Sequence, residues 1–132
     1  MGKVETILSD KSLKGKTQTE LLAKLILKDA KELDSVMSFA KTAKDPIKGT
    51  CIEAIEQATR INPKIAGKKC LDFIVANLSA KAPRVKWESA RVIANIAEQF
   101  PGKLDEAIIQ LLNNAEDPGT VVRWSSATAL GQ

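Results

Sequence analysis

Val85-Lys86-Trp87-Glu88-Ser89-Ala90-Arg91-Val92-Ile93-Ala94 recurs 37 residues later as Val122-Arg123-Trp124-Ser125-Ser126-Ala127-Thr128-Ala129-Leu130-Gly131. A weaker copy, Ile47-Lys48-Gly49-Thr50-Cys51-Ile52-Glu53-Ala54-Ile55-Glu56, lies 38 residues earlier. The segments before these copies keep the same register. Leu33, Leu71 and Ile108 correspond, as do Val36, Ile74 and Leu111; Met37, Val75 and Leu112; and Ala40, Leu78 and Ala115. Within each segment the spacing is i, i+3, i+4, i+7, which puts four side chains on one buried stripe of an α-helix. Two helices therefore form one repeating unit, and a period of this length marks architectures built by stacking such units.

Proline placement supports this division. Pro46, Pro63, Pro83, Pro101 and Pro118 all fall between periodic segments, where a residue without an N–H and with fixed φ can open a helix. The pattern predicts first helices at about 30–43, 63–79 and 102–115, and second helices at about 46–61, 83–99 and 119–131. Residues 17–28 read as the second helix of a partial N-terminal repeat, with 3–9 as a remnant of its first. The predicted fold is all-α: a right-handed α-solenoid in one domain, 1–132, with a partial repeat at 1–28 and repeats at about 29–61, 62–99 and 100–132.

The two helices of a unit differ in amphipathicity. In residues 83–99, apolar or small side chains cover well over half the circumference, leaving Glu88, Arg91, Asn95, Glu98 and Gln99 on a narrow polar face. So wide an arc requires cover on several sides, which stacking supplies to the second helix of each pair.

Composition narrows the chemistry. The chain has 132 residues, no His, no Tyr, two Trp and three Phe. Its core is therefore aliphatic, and the commonest general base and metal ligand is missing. The formal charge of +4 is unevenly spread: residues 1–86 hold 17 Lys and Arg against 10 acids, whereas residues 87–132 hold 3 against 6. Cys51 and Cys70 lack a CxxC or His-containing neighbourhood and sit at small packing positions, which fits a reduced, cytoplasmic setting. The N-terminus does not read as a signal peptide, and no segment has the length and apolarity of a membrane span.

The stretch Leu104–Gly131, with its apolar helix, Asp117-Pro118 turn, Val122-Arg123 and closing Ala129-Leu130-Gly131, resembles the HEAT repeats of the armadillo-type fold. The likeness extends over about residues 30–131. It implies that Asp117 and Arg123 match the family's turn Asp and helix-start Arg, which bond along the stack. Lys86 and Lys48 match Arg123, but Ser79 and Lys41 or Thr42 stand at the Asp position, so the polar ladder is incomplete.

In such repeats the second helices line the concave surface, which places Glu53, Gln57, Arg60, Trp87, Glu88, Arg91, Asn95, Trp124 and Thr128 on the expected binding face, with Gln132 equivalent to Asn95. The mixed signs suit a protein or peptide partner, or a merely solvated face. Trp87 and Trp124 read either as interface anchors or as covers for the junctions between repeats. Lys41, Lys44, Lys48, Lys81, Arg84 and Lys86 form a possible anion patch near helix starts, or else serve solubility.

No catalytic, cofactor-binding or metal-ligating constellation is recognisable. The leading expectation is a non-catalytic protein-binding or scaffolding module. The alternative is a nucleic-acid-associated protein using Lys-rich turns. A variant of that alternative is a HEAT-like DNA glycosylase that removes alkylated bases, although the concave face lacks that group's basic stripe. The last second helix is shorter than its predecessors, which predicts either further chain or an apolar face covered by a partner or a second copy.

Overall fold

A computed structural model describes residues 2–131. Among them, all the regular elements are helical: α1 (Lys3–Ser9), α2 (Gly15–Lys28), α3 (Lys31–Thr42), α4 (Asp45–Ile61), α5 (Lys68–Asn77), α6 (Pro83–Ile96), α7 (Asp105–Asn114) and α8 (Thr120–Leu130). Short 3₁₀ turns occupy Pro63–Ile65 and Ala97–Gln99. Gln132, matched to Asn95 by the repeat, lies outside the described residues.

Local chemistry sets the boundaries. Pro46 and Pro83 sit in the first turns of α4 and α6, where a missing N–H is harmless. Asp45 adds a carboxylate at the positive end of the α4 dipole. At Asn62-Pro63 the proline ring disfavours helical geometry in the residue before it, and α4 ends.

The helix expected over 63–79 is split. Pro63 opens only a 3₁₀ turn, Ala66 and Gly67 are extended, and α5 starts at Lys68. The helix expected from 102 likewise begins later, at Asp105, because Gly102 has φ +76° and makes a left-handed turn that glycine adopts without a Cβ clash. At the N-terminus the segments read as a partial repeat form a pair, with α1 packed on both α2 and α3.

Each first helix packs on its own second helix, and the most extensive packing runs α2 to α4 to α6 to α8. That row explains the wide apolar arc of α6: Val85, Ser89, Ala90, Val92, Ile93 and Ile96 are all buried. One small side chain recurs at the same place in each of these helices, Thr19, Cys51, Ser89 and Ser126, and all four are fully buried. Small residues there admit a neighbouring helix closely, while Leu22, Ile26, Ile52, Ile55, Ile93 and Ile96 fill the space on either side. Burying each such aliphatic side chain stabilises the fold by roughly 1.5–3 kcal/mol.

The four-residue stripe of the first helices holds in α3 but not in α7. Leu33 and Leu71 are 4% and 3% exposed, whereas Ile108 and Leu112 are 43% and 56% exposed. The α3 stripe is buried against α1, α2 and α4, and α5 has α7 packed on it, whereas no described helix follows α8 to cover α7. No described helix is long and apolar enough to cross a membrane.

Candidate functional site

The polar face of α4, α6 and α8 is a network of ion pairs and hydrogen bonds rather than a row of free groups. Arg84 Nη2 donates to Glu53 Oε2 at 2.6 Å, and its Nη1 donates to the Pro46 carbonyl at 3.3 Å and Thr50 Oγ1 at 3.5 Å. Gly49 makes room for this. A Cβ there would stand 3.0 Å from Arg84 Cδ, so the side chain of Arg84 lies where the later repeats carry Trp.

Glu56 is only 3% exposed but well supplied with donors. Arg60 Nη2 donates to it at 3.1 Å, Asn95 Nδ2 donates to its carboxylate and its carbonyl at 3.0 Å each, and Arg91 lies 3.9 Å away. Asn95 thereby ties α6 to α4.

Glu88 departs from its expected place on the exposed face: it is 4% exposed. Its Oε1 has no hydrogen-bond partner, and Arg91 Nη1, at 3.7 Å, is near enough for attraction but too far for a hydrogen bond. Burial, followed by the charge of Glu53, raises the carboxyl pKa to about 7, while Arg91 opposes the shift. The side chain falls inside because the packed row of helices covers the edge of the arc on which it lies. Its chemical consequence is a proton held near neutrality.

The remaining residues of the expected face are accessible. Gln57 is half-buried and Thr128 is exposed. The Arg60 and Arg91 side chains are 58% and 50% exposed. Trp87 and Trp124 occupy equivalent positions with different surroundings: Trp87 is half-buried, whereas Trp124 is 70% exposed.

The proposed anion patch divides. Arg84 is committed to Glu53, and Lys86 Nζ donates to Asp117 Oδ2 at 2.7 Å. Lys44 and Lys81 are exposed. Lys41 and Lys48 line a depression of about 380 Å³ with Lys69, Asp72, Phe73, Ala76 and Asn77.

The bond along the stack also differs from the one inferred by resemblance. Arg123 donates to backbone carbonyls of its own turn, Asp117 at 3.0 Å and Pro118 at 3.2 Å. Asp117 instead receives Lys86 from the preceding repeat and caps the Gly119 N–H at 2.8 Å, and these bonds hold its carboxyl below the usual range.

Two further hydrogen bonds link the repeats. Asn114 Nδ2 donates to the Leu78 carbonyl at 2.8 Å, and Gln99 Nε2 donates to the Pro63 carbonyl. The recurrence of Asn at 77 and 114 was the available signal for Asn114. Cys51 and Cys70 are buried, free thiols pushed up to about 12, in both cases first by desolvation. Among the described residues, no group of three or more His, Cys, Asp or Glu is arranged to hold a metal ion.

These features define an all-helical protein of packed helix pairs linked by polar bonds one repeat apart. Its fold is similar to that in the crystal structure of an engineered protein, a structural-genomics target, with TM-score 0.64, 22% identity and 98% of this chain covered. The chain spans 62% of that protein's length. No protein-family model and no curated protein matches the chain.

Proposed function

We propose that this chain is a non-catalytic protein-binding or scaffolding module, a right-handed α-solenoid of HEAT-type repeats that receives a peptide or protein along α4, α6 and α8. The observation that carries this reading is Trp124, 70% exposed on α8 and equivalent to the half-buried Trp87 on α6, within a face that also presents Arg91 and Arg60. Trp and Arg are the side chains most enriched among those that dominate binding energy at protein interfaces. Arg60 and Arg84 are already paired with Glu56 and Glu53, so they set polarity and register without presenting a field of one sign.

A second reading, binding of a phosphate-bearing polymer, draws on Lys41, Lys48 and Lys69 around a single depression. The pairing of Arg84 and Lys86 withdraws two of the six cations it would use.

Thermal midpoints measured with acidic peptides, basic peptides, single-stranded DNA, duplex DNA and RNA, at low and physiological salt, separate the two readings. A ligand that binds only the folded chain raises the midpoint. Stabilisation by peptide that disappears in Trp124→Ala supports the protein-binding module. Stabilisation by nucleic acid that collapses with salt and depends on Lys41 and Lys48 overturns it.

A further inference from the structure

We propose that the outward face of α7 and α8 binds the α1–α2 face of a second copy of this chain, head to tail. This surface adjoins Trp124, which stands one helical turn from Ala127 on α8, and rests mainly on α7 residues.

Equivalent positions in successive repeats differ in how they are covered. Leu71 on α5, Leu78 at its C-terminal end and Ala90 on α6 are 3%, 0% and 0% exposed, in helices on which α7 and α8 pack. Their counterparts in the last pair are open: Ile108 is 43% exposed, Ala115 is half-buried and Ala127 is exposed. Leu112, at the position of the half-buried Val75, is 56% exposed. The sequence thus keeps apolar side chains suited to helix-pair contact where a solvated face would carry polar ones. A crevice of about 100 Å³, lined by Ile93, Ile108, Leu111, Ala129 and Leu130 among others, opens at the same end. It has room for roughly one aliphatic side chain.

At the other end of the molecule, Lys3, Thr6, Ile7 and Leu25 line a shallow, mostly apolar depression of about 320 Å³ between α1 and α2. No residue of a later helix lines it.

Charge selects the pairing. Residues 3–28 carry six Lys against three acids, a net +3, whereas residues 103–131 carry two cations against four acids, one of which, Asp117, is neutralised by Lys86, leaving −1. Lys3, Lys24 and Lys28 are exposed, as are Asp105, Glu106 and Glu116. Two α7–α8 faces repel one another, while an α7–α8 face attracts the α1–α2 face of another copy. Such a contact is heterologous and leaves one free face at each end, so association continues beyond two copies.

Sedimentation velocity across a concentration series tests the assignment, using the unsubstituted chain, Leu112→Asn, and the double variant Lys3→Glu with Thr6→Glu. All three substituted side chains are exposed, and circular dichroism confirms that the variants remain folded. The unsubstituted chain is expected to rise past two copies with concentration and to fall back as salt is added. Each variant alone is expected to associate at least about tenfold more weakly. Mixed in equal amounts, the variants retain one good face each and form a 1:1 dimer that grows no further. An unsubstituted chain that remains monomeric at the highest concentration overturns the proposal. So does the Lys3/Thr6 variant if it still dimerises alone, since that is the behaviour of a symmetric α7–α8 contact. Peptide binding that depends on Trp124 is scored at a concentration where the chain is monomeric, so either conclusion can fail without the other.

Discussion

Glu88→Gln removes the one buried carboxyl whose proton is held near neutrality, and the size of its effect follows from the shift. The group moves from 4.5 to about 7 on folding, chiefly through desolvation. Because the folded chain binds this proton more tightly than the unfolded chain does, the protonated carboxyl contributes its full stabilisation below about pH 4.5. That contribution is lost as pH rises to about 7. At roughly 1.4 kcal/mol per pH unit, the loss is on the order of 3 kcal/mol.

Gln has nearly the same shape and no titrating proton. The stability of Glu88→Gln minus that of the unsubstituted chain should therefore increase by up to about 3 kcal/mol between pH 4.5 and 7.5 and level off above that. Urea denaturation at half-unit pH steps measures it, and taking the difference cancels the titration of all other groups. Parallel pH profiles for the two chains would show that Glu88 is not held in the protonated state by its surroundings, and the reasoning from burial would fail.

Three further outcomes follow from the same packing. Cys51 and Cys70, raised from 9.0 to about 12, carry a thiolate fraction about a thousandfold below that of a free thiol and should resist alkylation at pH 8 until the chain is denatured; prompt labelling of the native chain, read by mass spectrometry, contradicts their burial. Asn114→Ala deletes a buried donor and leaves the Leu78 carbonyl unpaired, which should cost about 1–3 kcal/mol in urea denaturation; a change below about 0.5 kcal/mol removes that link from the account. Trp124→Ala should alter stability by no more than about 0.5 kcal/mol, whereas Trp87→Ala should cost roughly 1–3 kcal/mol, and equal losses would mean that the two rings have equivalent surroundings.

The sequence by itself determined the helical class and the pairing of segments. Hydrophobic periodicity and repetition are local, additive signals, and the prolines at 46 and 83 mark the starts of α4 and α6 directly. It was less reliable where short-range geometry competes with periodicity. The proline pattern predicts a helix start at Pro63, which opens one 3₁₀ turn, and Gly102 delays α7 through a left-handed φ that no apolar pattern encodes.

The character of the polar face was settled only by tertiary structure. Glu53, Glu56 and Glu88 look alike on a helical wheel, yet Glu53 is paired with Arg84, Glu56 is buried between two side-chain donors, and Glu88 is buried without a hydrogen bond to Oε1. Trp87 and Trp124 share one sequence context but differ in exposure. The physical reason is common to all these cases. Repetition fixes what each helix offers to its neighbours, but burial and pairing depend on which neighbours are present, and that is a property of the packed helices together.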